Sequence, residues 1–324
     1  MNHLAPAFAD AEPVELLASL DNVSNPCHSD AGRTTRSHVW TPLDDGIRRE
    51  EEPMTNAARI PVADGELHVD DTGESDLVPV VCLHSLFLDN RQFDEFTAAA
   101  SGRLRVIRPD FRGQGRSSPA TREIITVESC AGDIQALLDV LGVRHAHFLV
   151  SSMGGDVGLR VAANRPDLIR SMVITGSSAR AEPPGQLAEF LQWVEDVGER
   201  GFVDDVLTST MRIMLGETTL ADPDRRDVVD LWTRRIASLT PDLKPAMAGV
   251  IRRSSALDLL KDITAPTLVI SGEECIARPP EWAEELARGL PNSQLWMMEK
   301  IGHSPLMEAP EVVNARILDF FAEH

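Results

Sequence analysis

The sequence is short of cysteine, of basic residues and of long apolar runs. Its four cysteines, Cys27, Cys82, Cys130 and Cys275, form no C-x-x-C pair. They are too few for a disulfide framework in 324 residues, so a reducing, cytoplasmic setting is expected. Lys and Arg total 31 against 51 Asp and Glu, a formal charge of −20. That balance argues against nucleic acid and anionic membrane surfaces as partners, because both need a basic face. No run approaches the length of a membrane span. The opening M-N-H-L-A-P-A-F-A-D-A-E lacks the basic and apolar blocks of a secretion signal. There is no H-E-x-x-H helix, G-x-G-x-x-G fingerprint or P-loop, so no metal or organic cofactor is expected.

What is present is an ordinary globular composition, 43% hydrophobic and 25% charged, in a chain long enough for one large domain. Residues 1–57 differ from the rest. They are rich in Pro, Ser, Asn and Asp, end near the charge run R-R-E-E-E, and show no sustained periodicity. We read them as an N-terminal extension expected to be disordered, followed by a folded domain over 58–324. From there apolar runs alternate with helical spacing. Val78–Leu83, Leu104–Arg108, Ala146–Val150, Ser171–Thr175, Thr267–Ser271 and Gln294–Met298 read as strands, the first as a buried parallel one. Cys82 lies in that run as a small buried hydrophobe. Val127–Leu141, Gly154–Asn164 and a last stretch from Pro310 read as helices. The pattern predicts an α/β domain with a mostly parallel sheet. Between about 180 and 261 the alternation stops, and a helical insertion is expected to cap the sheet edge.

The most informative stretch is F-L-V-S-S-M-G-G-D-V-G-L, Phe148–Leu159. A strand runs straight into a Gly-Gly helix start, a turn that presents its middle residue in a strained conformation at the sheet's carboxyl end. In the G-x-S-x-G pattern the nucleophile is Ser152, and the helix N-terminus beneath it favours a developing oxyanion. Val150 replaces the first glycine. V-C-L-H-S-L-F-L-D (Val81–Asp89) follows one strand and D-F-R-G-Q-G-R-S-S-P (Asp110–Pro119) the next. K-I-G-H-S-P-L-M-E-A-P-E places His303 between the last strand and the last helix, in position for a general base.

On these motifs the chain from about Arg59 to Phe321 resembles the α/β-hydrolase superfamily. The H-S-L-x-x-D segment, the S-M-G-G elbow and the short helical cap are similar to the 3-oxoadipate enol-lactonase-like branch. The resemblance implies an α/β-hydrolase fold with a mostly parallel central sheet and a small cap. It also implies Ser152 as nucleophile, His303 as general acid/base, and the N–H groups of Leu86 and Met153 as the oxyanion hole.

One position departs. The resemblance implies an Asp in the loop G-x-x-D, where this chain reads Gly272-Glu273-Glu274-Cys275. The triad acid holds the histidine in the right tautomer and stabilises the imidazolium. Three readings are open: Glu274 or Glu273 takes the role; Glu182, beyond the preceding core strand, takes it; or no charged partner exists. In the last case the protein is a slow hydrolase or a ligand binder. Around the site, His84, Ser85, Trp193, Met214 and Trp232 are candidates for contact with substrate, and Arg212, Arg252 or Arg253 for a substrate carboxylate.

The expected activity is hydrolysis of a small-molecule ester or lactone through an acyl-serine intermediate. Alternatives are a carbon–carbon bond hydrolase or perhydrolase on the same fold, and a catalytically impaired binding protein. Deleting residues 1–53 should leave a single cooperative unfolding transition in denaturant; a broad or absent transition would show that the extension belongs to the domain.

Overall fold

The computed structural model describes residues 56–324. The expected extension therefore lies outside the described residues, except for Asn56 and Ala57, which open a strand.

Eight strands form one sheet: β1 (Asn56–Val62), β2 (Gly65–Asp71), β3 (Pro79–Leu83), β4 (Arg105–Pro109), β5 (Ala146–Ser151), β6 (Ile169–Thr175), β7 (Thr267–Gly272) and β8 (Ser293–Met298). Their order is β1-β2-β4-β3-β5-β6-β7-β8. β1 pairs antiparallel with β2, and β2 antiparallel with β4. The remaining neighbours are parallel. The central strands are buried on both faces. Every residue of β5 and β7 is buried, as continuous apolar runs in a parallel sheet require. The edge strand β1 is mostly exposed.

Helices cover the sheet: α1 (Asp94–Ala99), α2 (Val127–Val140) and α3 (Met153–Asn164), then, after the cap, α9 (Pro280–Gly289), α10 (Pro305–Glu308) and α11 (Pro310–Glu323). Between β6 and β7 the chain forms α4 (Pro184–Arg200), α5 (Asp204–Met214), α6 (Glu217–Ala221), α7 (Arg226–Ala237) and α8 (Lys244–Ile251). Two cores result. One face of the sheet packs on α2, α3 and the inserted helices. The other packs on α1 and α11 through Phe93, Phe96, Phe320 and Phe321. The sequence pattern passes over β1 and α9. β1 is exposed and weakly patterned, whereas α9 buries Trp282, Ala283 and Leu286 on one face. Among the described residues no helix is long and apolar enough to cross a membrane.

The topology locates the site. The chain leaves β3 for β4 on one side and returns to β5 on the other. A crevice opens where neighbouring strands send their connections in opposite directions. The loop after β3 and the corner after β5 meet at that point. A Cβ on Gly154 would stand 2.0 Å from the carbonyl oxygen of Leu83, at the end of β3. Gly154→Ala should therefore force the two apart, lowering stability by about 3 kcal/mol. An unchanged denaturation midpoint would show that the corner can yield.

Candidate active site

Ser152 joins β5 to α3 with φ 50° and ψ −110°, a region that costs a non-glycine residue energy. Val150 stands where the elbow pattern has a glycine. The room comes from the helix side: a Cβ on Gly158 would approach Val150 Cγ1 to 3.0 Å.

The loop after β3 is held against this corner. Gln92 accepts from the Ser85 N–H at 2.8 Å and donates to Ser151 Oγ at 2.9 Å. Phe87, next to Leu86, is also strained at φ 68°. Its ring meets Trp193 and Phe202 of the inserted segment edge-on, at 5.6 and 5.7 Å between centroids. Leu86 is buried in this loop, and Met153 is wholly buried at the start of α3.

His303 approaches from the other side. The Ser152 N–H donates to Thr175 O, and Ser177 Oγ donates to Ser152 O, both at 2.9 Å. A Cβ on Gly176 would stand 2.1 Å from His303 O and 3.4 Å from its Nδ1. The turn from Thr175 to Ser177 thus has the elbow on one side and the histidine on the other. Ser152 and His303 are both buried.

Where the resemblance implies an acid, the chain has a thiol, and it faces His303. Cys275 Sγ lies 3.2 Å from His303 Nδ1 and receives the Arg278 N–H at 3.4 Å. Burial pushes the thiol up to about 12. Burial, with Arg278 second, pulls His303 down to about 3. Both groups are therefore neutral near pH 7, and one proton serves the contact between them. If sulfur donates it to Nδ1, the other ring nitrogen carries a hydrogen and is no base; catalysis needs the opposite tautomer.

None of the three candidate glutamates is hydrogen-bonded to the histidine, and Glu273 is exposed. The carboxylate of Glu274 accepts from the N–H and the hydroxyl of Thr218, on α6. Glu182 accepts from Arg253 Nη1 at 2.6 Å and Arg278 Nη1 at 2.9 Å. With Asp156, at 3.4 Å from Arg253 and 3.5 Å from Arg278, these residues form a buried cluster of two acids and two bases. Asp156 lies one turn along α3 from Ser152, and Arg278 is the residue whose N–H meets Cys275. Their sequence separations hide this pairing; the only local hint is Asp156 inside the elbow motif.

Other expected contact residues have structural tasks. His84 is fully buried; its Nδ1 pairs with Ser85 O at 2.8 Å and its Nε2 accepts from the Phe111 N–H at 3.0 Å. Burial lowers its pKa, and both ring nitrogens are occupied, so it staples two loops rather than offering a hydrogen bond to substrate. Ser85 is buried behind the same loop, its hydroxyl without a partner. Met214 and Trp232 lie within the core, the latter under the guanidinium of Arg235 at 4.6 Å. Trp193 is half-buried against Phe87. Arg253 is consumed by the ion cluster, while Arg212 and Arg252 are exposed. A cavity of about 410 Å³ lies at α2, lined by Asp64, Arg112, Ile125 and Asp133 among others; neither Ser152 nor His303 lines it.

The family described as "alpha/beta hydrolase fold" matches residues 78–310. The chain belongs to the α/β-hydrolase family. It is 29% identical over 227 residues to RutD of Stutzerimonas stutzeri (strain A1501), a protein named for carbamate hydrolysis; the match covers 68% of this chain and 82% of that one. It is 25% identical over 285 residues to the 2-hydroxy-6-oxononadienedioate/2-hydroxy-6-oxononatrienedioate hydrolase of Paraburkholderia xenovorans (strain LB400), covering 84% and 96%. Among solved structures, a thermophilic esterase from Thermogutta terrifontis superposes with a TM-score of 0.75 at 28% identity, covering 83% of this chain and 98% of that one.

Removing Arg253 from the buried cluster leaves Asp156 and Glu182 to share Arg278, one uncompensated buried charge, which costs about 3–5 kcal/mol. Arg253→Met should lower the unfolding free energy by that amount in urea titration. A loss below about 1 kcal/mol would mean that the remaining groups reorganise.

Proposed function

We propose that the protein is a serine hydrolase cleaving an ester or lactone bond of a small molecule. Ser152 attacks the carbonyl carbon, and its proton passes to His303. The developing oxyanion takes the N–H groups of Leu86 and Met153. Collapse of the tetrahedral adduct releases the alcohol, which takes the proton back from His303. Water, activated by the same histidine, then hydrolyses the acyl-serine. The observation that carries this reading is Ser152 held at φ 50° between a buried strand and a helix N-terminus, with His303 across the Thr175–Ser177 turn. The similar proteins are named for hydrolysis of a carbamate, of a 2-hydroxy-6-oxo dienedioate or trienedioate, and of an ester, so the bond cleaved is the finer part of the proposal.

Cys275 favours a slow enzyme. In serine proteases, replacing the triad Asp by a neutral residue costs about 10⁴ in kcat, or about 5 kcal/mol of barrier. A neutral thiol cannot stabilise an imidazolium better, and Arg278 adds positive charge beside it. The same observation motivates a second reading, a binding protein that holds an apolar ligand beneath the cap without turning it over.

Fluorophosphonate labelling, followed by intact mass, separates the two. Labelling should be slow in the wild type, absent in Ser152→Ala, and faster by about 10²–10⁴-fold in Cys275→Asp. No labelling in either the wild type or Cys275→Asp would sink the hydrolase reading.

The pH profile gives an independent check. His303 is lowered below the ordinary 6.5, so it stays an unprotonated base as the medium is acidified. The acidic limb of kcat/KM should accordingly lie well below 6.5. A carboxylate at 275 stabilises the imidazolium, so the limb should move upward in Cys275→Asp. A limb that stays in place would show that His303 does not take the proton.

A further inference from the structure

Two glutamates in the loops that hold Cys275 and His303 turn away from the histidine ring toward the inserted helices. Glu308 ends α10 and is fully buried. Its carboxylate accepts from the Gly302 N–H at 3.0 Å and the Ser304 N–H at 3.1 Å, the residues on either side of His303. The same carboxylate accepts from the Gly216 N–H at 2.8 Å and Thr219 Oγ1 at 2.7 Å, at the start of α6. Glu274, next to Cys275, accepts from the N–H of Thr218 at 2.8 Å and from its hydroxyl. α6 has no capping side chain of its own at Gly216. The two carboxylates meet the N–H groups of Gly216 and Thr218 instead.

The backbones touch at the same place. A Cβ on Gly302 would stand 2.1 Å from Gly216 N, and one on Gly216 would stand 2.6 Å from Glu274 Oε2 and 2.8 Å from Gly302 N. The Glu274 N–H donates to Ile301 O at 2.9 Å. No side chain separates residue 216 from Gly302, so a shift of this part of the cap meets the residue before His303 directly.

The geometry points to Glu308 as a positioning residue for His303, and to Glu274 and Glu308 together as a latch that ties the histidine's placement to the seating of residues 216–219. The catalytic part of this inference rests on His303 acting as the base. When residues 216–219 are seated, Glu308 holds the N–H groups of both residues flanking His303. When they lift, Gly216 and Thr219 leave the carboxylate, and Glu308 loses the partners that fix it. The latch gives Glu274 a task other than that of triad acid.

Glu274→Gln is the decisive variant, because among the described residues the Glu274 side chain bonds only to Thr218 of α6, and the substitution leaves the Glu274 N–H to Ile301 O bond available. Amide hydrogen exchange should rise at residues 216–219 and also at 302–304, by about tenfold, as expected for losing one or two charge-assisted hydrogen bonds. Glu308→Gln should raise exchange in both segments, and the double variant should add less than the sum of the two. With a turned-over ester, kcat should fall about tenfold in Glu274→Gln while KM changes little. A rise confined to 216–219, with 302–304 exchanging as in the wild type, would overturn the latch. Exchange is read without substrate. If neither the wild type nor Cys275→Asp labels at Ser152, the hydrolase reading falls and the exchange result alone decides the latch.

Discussion

The structure depends on one corner. The chain leaves β5 and enters α3 through a single residue, and Ser152 takes a left-handed conformation to do so. The cost is of order 1–3 kcal/mol. It is sustained because both neighbours are immobile: β5 is buried along its length, and Gly154 rests on the carbonyl at the end of β3. Small residues follow from this closeness. Gly155 lies against the Ser177 side chain and Gly158 against that of Val150, so α3 comes down onto the sheet with no side chain of its own at these contacts. Val150 shows that the elbow needs a given volume rather than a glycine at a given position, since the helix can supply the missing space.

Charge around the histidine is arranged unusually for a hydrolase site. Among the described residues, the side-chain partner of His303 Nδ1 is a sulfur, and the first charged group acting on the ring is the cation Arg278. The acids nearby are engaged elsewhere. Asp156 and Glu182 neutralise Arg253 and Arg278 inside the fold, and Glu274 and Glu308 face the inserted helices. A buried pair of acids with a pair of bases contributes little net stability, but it tolerates no loss of a member. It ties α3, the segment after β6, the exit of the cap and the loop after β7 into one unit behind the site.

The fold class was legible because parallel strands announce themselves as continuous apolar runs, as at Val80–Leu83 and Ala146–Val150, and helices by their spacing, as at Val127–Val140. The elbow and the late histidine were legible as motif positions, since Ser152 and His303 each lie in a short stretch with its own backbone logic. The acid was not. Glu273, Glu274 and Glu182 are all carboxylates near the right loops, and sequence spacing carries no side-chain direction. Nor could sequence separate substrate contacts from packing. His84 is a polar residue in a motif loop, yet both of its ring nitrogens are spent within the protein.

The amino-acid sequence by itself determined the α/β architecture, the place of the elbow and the presence of a thiol where a carboxylate is expected. These rest on local periodicity, turn chemistry and residue identity. Only the tertiary structure decided that Cys275 faces His303, that Glu274 faces Thr218, and that Asp156 and Glu182 are consumed by arginines far along the chain. Those outcomes depend on which donors lie nearest once the loops are closed. A carboxylate goes to the donors that compensate its burial, and that competition is settled by three-dimensional neighbours rather than by sequence position.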